Sequence, residues 1–109
     1  MIDLTGKIKK DFIVDAEEMY KYATTHPDIT KMVIFGSVTY AEDPLINDEM
    51  MHVAISIKNP THERIVNISN DIETNNGCVW ACMIDDPRYE NHKSIHRAID
   101  NGVILYDKS

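Results

Sequence analysis

Cysteine is scarce in this chain, and its placement limits what it can do. Only two of the 109 residues are cysteines, Cys78 and Cys82, and both lie in CVWACMI, a segment typical of a strand. Four residues along a strand span about 13 Å, whereas a disulfide needs α-carbons within about 7 Å. The two cysteines therefore cannot bond to each other, and we expect buried thiols.

Positive charge and long apolar runs are also scarce. The chain has 11 lysines and arginines against 18 aspartates and glutamates, for a net charge of −7. Such a chain lacks the basic surface that neutralises duplex nucleic acid or an anionic membrane, so we expect neither as a partner. No apolar run approaches the roughly 18–20 residues of a membrane span. The segment MIDLTGKIKKDF has no apolar core of signal-peptide length, and we expect a cytoplasmic protein.

The composition that remains is that of one small folded domain. A hydrophobic fraction of 43% in 109 residues allows one modest core. No repeat, linker or low-complexity tract divides the chain, so we predict a single domain over residues 1–109. The segment IKKDFIV is compatible with an edge strand or an arm, and no pattern assigns a role to residues 1–14.

Three segments have the apolar spacing of helices. The first is predicted from about residue 16 to 25, with Asp15 and Glu18 as an acidic capping box and an end before Pro27. The second lies in NPTHERIVNISNDIETNNG, with Asn59 as its cap. The third lies in KSIHRAIDNG, with Gly102 as its stop.

Four segments are rich in β-branched and aromatic residues, as strands are: ITKMVIF, MMHVAISI, CVWACMI and VILY. The order is helix, strand, strand, helix, strand, helix, strand. This order predicts an α/β (α+β) fold in which helices cover one face of a small mixed sheet. The acidic and Pro-containing segment VTYAEDPLINDE is predicted to be a loop.

The first predicted strand ends on Gly36 and Ser37, in MVIFGSV. Glycine allows a positive φ and the close approach of a ligand to the backbone. The serine adds a hydroxyl at the same point, and free amides beyond it can face an anion. These features are compatible with a phosphate-binding site and equally with a plain turn.

In its context this pair resembles the minimal nucleotidyltransferase family. That family has a helix, a strand ending in Gly-Ser, a loop, and a strand opening with Asp-x-Asp. The closing segment SIHRAIDNGVILYD is also similar to the family's last helix and strand, so the resemblance covers about residues 15–107. It implies neighbouring strands at 31–35 and 51–57, with nucleotide binding at Gly36 and Ser37 at one end of the sheet.

The resemblance fails at the residues that carry the family's chemistry. In that family, the Asp-x-Asp pair and a third acid hold two divalent metals. These metals activate the attacking hydroxyl and stabilise the leaving pyrophosphate. Here Met50 and His52 stand at the first two positions, and Trp80, or alternatively Cys82, stands at the third. A thioether, an imidazole and an indole do not replace hard oxygen ligands for Mg²⁺. In a second alignment, the length of the loop is counted from Ser37. This alignment places Asp48 and Met50 at the Asp-x-Asp positions and so retains one carboxylate.

Other candidate groups have simpler explanations. His52 is a candidate base or soft-metal ligand, but a histidine on a pocket wall with a backbone partner is the simpler explanation. His92 and His96 are four residues apart, as two zinc ligands are, yet no third ligand is placed to complete that site. Trp80 suits a core position as well as a base-stacking platform.

Three functional readings follow. The leading one is a catalytically degenerate nucleotidyltransferase-fold protein without a cofactor, which binds a nucleotide-like ligand or a protein. The resemblance implies an antitoxin-like role for such a small partner. The second is an active nucleotidyltransferase that uses Asp48 or nearby loop carboxylates to hold Mg²⁺. The third is a structural or inhibitory module, for example a homodimer that buries the Gly-Ser edge.

Overall fold

The computed structural model describes residues 3–40, 50–75, 79–84 and 91–108. A 3₁₀ turn at Lys10–Phe12 leads into helix α1 (Ile13–Thr25). Strands β1 (Ile29–Phe35) and β2 (Met51–Ile57) follow, then helix α2 (His62–Asn75) and strand β3 (Val79–Met83). Helix α3 (Lys93–Asp100) and strand β4 (Val103–Asp107) complete the described chain. The predicted order of three helices and four strands is confirmed, and the fold is α+β.

The strands form one mixed sheet in the order β3-β2-β1-β4. β1 is antiparallel to both β2 and β4, while β2 and β3 are parallel and are joined through α2. Phe35, the last residue of β1, pairs with His52 at the start of β2. The Gly-Ser pair and the Met50–His52 segment therefore lie at the same end of the sheet, as the sequence predicts.

Alternate residues along the strands divide the core into two clusters. The larger cluster packs α1 and α2 against one sheet face, using Met19, Ile72 and strand residues such as Ile34 and Ile55. The smaller contains Val33, Phe35, Ala54 and Cys82, with Trp80, Ile84, Ala98 and Ile99 against it. Since Ala98 and Ile99 belong to α3, the expectation of helices on one face is wrong. The reason is that β1 and β2 bury apolar residues on both sides.

The helix starts differ from two of the predicted caps. α1 begins at Ile13, so Asp15 lies in its first turn, where its charge favours the helix dipole but does not cap it. α2 begins at His62, and the Thr61 hydroxyl accepts a hydrogen bond from the Arg64 amide at 3.2 Å. Thr61 is therefore the cap, and Asn59 instead takes a left-handed turn conformation with φ of 47°.

The thiol prediction is confirmed for Cys82, which is buried and free. Cys78 lies outside the described residues. None of the helices in the described ranges is long and apolar enough to cross a membrane.

Gly102 is required for close packing between α3 and the sheet. A Cβ at this position would meet the Ile34 carbonyl oxygen at 2.5 Å and Val33 Cγ1 at 2.7 Å. We expect Gly102→Ala to lower the free energy of unfolding by about 1–3 kcal/mol, the usual cost of overpacking. Urea denaturation measures this.

Gly6→Ala is the matched control for the Gly102 variant. Gly6 has a φ of +79° but open space where its Cβ would lie, so it carries backbone strain of about 1 kcal/mol without a steric clash. An equal or smaller loss for Gly102→Ala would show that α3 does not pack this closely against β1.

Candidate functional site

The Gly-Ser pair forms a tight turn directly after β1. Gly36 has a φ of +93°, a conformation that residues with a side chain rarely adopt. The Thr39 amide and hydroxyl both donate to the Gly36 carbonyl, at 3.1 Å and 2.8 Å. Ser37 is buried, with 7% of its surface exposed. The glycine therefore serves the turn itself, and nucleotide binding at Gly36 and Ser37 stays a prediction.

The N-terminal segment fastens this turn to the rest of the molecule. Leu4 and Ile8 are buried in the larger core cluster. Ile8 forms an isolated antiparallel bridge with Thr39, and the Lys9 amide donates to the Val38 carbonyl at 2.8 Å. Of the two interpretations that the sequence left open, the structure shows an arm: it makes one bridge and then enters the 3₁₀ turn.

Three aromatic rings lie side by side across the sheet at the same end. Phe35 pairs with His52 on β2, and His52 pairs with Trp80 on β3. The ring centroids are 5.6 Å apart for Phe35 and His52, and 5.3 Å apart for His52 and Trp80. His52 is 6% exposed, while Trp80 is half-buried. We call Phe35, His52 and Trp80 the aromatic row.

The structure thus brings His52 and Trp80 into contact, the two residues assigned to acidic positions on different strands. Met50 lies just before β2 and is half-buried. Met50 and His52 are two positions apart in the chain, which favours the same sheet face. None of the three can supply a carboxylate. The alternative acid, Asp48, and the neighbouring loop acids lie outside the described residues.

The proposed zinc pair on α3 is not supported. His92 is exposed and precedes the first residue of α3, while His96 is half-buried within it. Across residues 3–40, 50–75, 79–84 and 91–108, no group of three or more histidines, cysteines or acids is arranged to hold a metal ion.

No protein-family model matches the chain, and neither a curated protein nor a solved structure matches it.

Sequence reasoning missed a polar groove between α1 and α2. It has a volume of about 530 Å³ and is lined by Tyr22, His26, Asn67, Ile68, Asn70, Asp71, Thr74 and Asn75. The Tyr22 hydroxyl donates to Asp71 Oδ2 at 2.9 Å and so joins the two helices. Burial, and then the hydrogen bond and charge of Asp71, raise the pKa of Tyr22 well above its usual range. Only the spacing of Asn67, Asp71 and Thr74 along α2 hinted at this polar face.

We expect Tyr22→Phe to lower the free energy of unfolding at neutral pH by about 0.5–1.5 kcal/mol, because it removes the hydrogen bond to Asp71. The raised pKa favours the neutral phenol in the folded state. Its contribution is therefore fully present below about pH 10 and is lost as the pH rises towards the folded-state pKa. Tyr40→Phe is the control, since Tyr40 is exposed; equal losses in the two variants would rule out a role for the bond.

Proposed function

We propose that this protein is a nucleotidyltransferase-fold protein that has lost catalysis and acts by binding a nucleotide-like ligand. The observation that carries the proposal is the aromatic row beside the Gly36 turn. His52 and Trp80 pair across β2 and β3, at the positions where the family resemblance expects metal-binding carboxylates. The pairing of Phe35 with His52, which brings the Gly36 turn and the start of β2 to the same end of the sheet, supports the proposal, while Met50, His52 and Trp80 supply no carboxylate.

The side chains at these positions argue against metal-dependent transfer. Mg²⁺ prefers oxygen ligands in near-octahedral geometry, and Met50, His52 and Trp80 offer sulfur, imidazole nitrogen and an indole. Without metals, nothing at these positions neutralises the triphosphate or stabilises the leaving pyrophosphate. Binding requires less, because aromatic faces stack on bases and turn amides donate hydrogen bonds to anions.

Trp80 is the residue of the row best suited to contact a ligand. It lies on β3, at one edge of the four-stranded sheet, and is half-buried, whereas Phe35 and His52 are buried. A nucleotide base that stacks on the exposed part of the Trp80 indole would add a fourth ring to the aromatic row. The phosphates would then lie towards the Gly36 turn, because that turn directly follows Phe35.

A protein partner is the other ligand class that the resemblance implies, in an antitoxin-like role. Four large apolar side chains are exposed in the described part of the chain: Val14, Tyr40, Val66 and Ile104. They belong to four different segments and do not by themselves define a docking surface. The nucleotide-like ligand is therefore our leading proposal.

The test combines a binding measurement with an activity assay. ATP is titrated into ¹⁵N-labelled protein in the presence of EDTA, and chemical shifts are followed at the Gly36–Thr39 amides and the Trp80 indole. Pyrophosphate release is then assayed after Mg²⁺ is added in excess of the chelator. We expect shifts at both places without metal, and no pyrophosphate.

Two results would overturn the proposal. Pyrophosphate release that is abolished by Asp48→Ala would show an active enzyme in which a loop carboxylate holds the metal. An absence of shifts at both the turn and the indole would show that this end of the sheet binds no nucleotide. Asp100→Ala, which removes an exposed carboxylate at the end of α3, is the matched control for the Asp48 variant.

A further inference from the structure

A lysine cluster lies on the N-terminal arm. Lys7, Lys9 and Lys10 are three of the 11 cationic side chains in a chain of net charge −7, and they fall within four residues. All three are exposed, and the buried Ile8 lies between the first two. Even with Asp3 and Asp11 nearby in sequence, this arm is locally positive.

The arm holds these lysines beside the Gly36–Thr39 turn. Ile8 bridges Thr39, and the Lys9 amide bonds to the Val38 carbonyl at 2.8 Å. In an antiparallel pair the partners step in opposite directions, so Lys9 stands across from Val38, in agreement with this hydrogen bond. The backbone of Lys9 is therefore held beside the turn by a hydrogen bond, and its position does not depend on the chain terminus.

None of the three ammonium groups forms an ion pair with another described residue. The ion pairs there join Lys21 to Glu18 and Arg64 to Asp28. Hydrogen bonds with Thr5 lower the pKa of Asp3, and the nearby charge of Lys7 adds a smaller effect in the same direction. Exposed lysines repel one another, so grouping three of them costs free energy that a bound anion would recover. A multiply charged anion recovers more than a single charge does.

We propose that Lys7, Lys9 and Lys10 form the phosphate-recognising side of the ligand site and select a nucleoside polyphosphate over an uncharged nucleoside. This inference rests on the proposed function, which it deepens by naming the charge of the ligand. It also assigns the N-terminal arm a role in binding. Recognition by ammonium groups requires no metal.

The test uses isothermal titration calorimetry in EDTA at low ionic strength, with ATP, adenosine and inorganic pyrophosphate as separate probes. One variant carries Lys7→Gln, Lys9→Gln and Lys10→Gln together. The matched control carries Lys58→Gln, Lys93→Gln and Lys108→Gln, three exposed lysines from other parts of the fold. Both variants change the net charge equally, so they separate position from total charge.

We expect the arm variant to lose about tenfold to a hundredfold in ATP affinity, and the control about threefold or less. Pyrophosphate affinity falls with the same substitutions, and rising salt weakens ATP binding more in the parent than in the arm variant.

The outcomes separate this inference from the proposed function. ATP binding that the arm and control variants weaken equally, or adenosine binding as tight as ATP binding, overturns the lysine assignment and leaves nucleotide binding in place. Pyrophosphate binding that requires the arm lysines, with no shift at the Trp80 indole on adding ATP, supports an anion site and overturns the proposed nucleotide site. Failure of both ATP and pyrophosphate to bind overturns both.

Discussion

A variant that carries Met50→Asp, His52→Asp and Trp80→Asp together is expected to be much less stable than the parent in chelator and to regain stability with metal. Three carboxylates at one end of the sheet repel one another and raise one another's pKa. Loss of the Trp80 ring adds a packing cost, which reaches about 3–5 kcal/mol for a fully buried tryptophan. Since Trp80 is half-buried, we expect part of that cost.

The change in stability of this variant on adding metal tests whether the three positions lie close together. Mn²⁺ or Mg²⁺ bound to the three carboxylates of the folded state stabilises it by about 2.7 kcal/mol at one hundred times the dissociation constant. The pairing of His52 with Trp80 supports convergence of at least two of the positions. Thermal melts over a series of Mn²⁺ concentrations measure the gain, which rises with concentration in the variant and is absent in the parent.

The matched control replaces the same three residues by asparagine. Asparagine has nearly the size of aspartate but lacks the charge, so it reproduces the packing loss without a comparable metal site. If the folded aspartate variant responds to millimolar Mn²⁺ no more than the asparagine variant, the three positions do not converge. The assignment of Met50, His52 and Trp80 to the family's acidic positions is then wrong.

The second large effect is expected from Phe35→Ala, which removes a fully buried ring from the smaller core cluster. Phe35 is 1% exposed and lies 5.6 Å from the His52 ring. Truncating a buried phenylalanine costs about 3–5 kcal/mol, a large fraction of the roughly 5–15 kcal/mol by which small domains are stable. Urea denaturation followed by circular dichroism measures the loss.

Ile104→Ala provides the comparison for Phe35→Ala. Ile104 lies on β4 and is 49% exposed, so its truncation should cost about 1 kcal/mol or less. Phe35→Leu keeps most of the apolar volume and provides a folded variant if the alanine variant does not fold. A loss below about 1 kcal/mol for Phe35→Ala would show that the second face of the sheet is not a packed core.

The elements were predictable because each carries a strong local pattern. β1 and β2 are mostly apolar and rich in β-branched residues, and α1 ends where Pro27 excludes further helix. The cap of α2 was misassigned because NPT offers more than one residue able to cap, and only the geometry selects Thr61. The side of the sheet covered by α3 was also misjudged, because strands buried on both faces show no alternation in sequence.

The candidate site was predictable only in part. Strand periodicity with the family resemblance located Met50, His52 and Trp80, but pairing across strands, which creates the aromatic row, is a property of the register. The lysine cluster escaped notice because a net charge of −7 averages over the whole chain. The sequence also gave no indication that Ile8 would bring that cluster to the Gly36 turn, since a single bridge between distant segments leaves no periodic signal.

The most direct measurement of the central claim is a crystal structure of the full chain grown with ATP in EDTA and, separately, with ATP and Mg²⁺. The account predicts the same ligand density in both crystals, with phosphates beside Ser37, the base towards Trp80 and no metal bound at Met50, His52 and Trp80. Density for a metal held by Asp48 or its loop neighbours with cleaved nucleotide, or nucleotide density away from this end of the sheet, would contradict it.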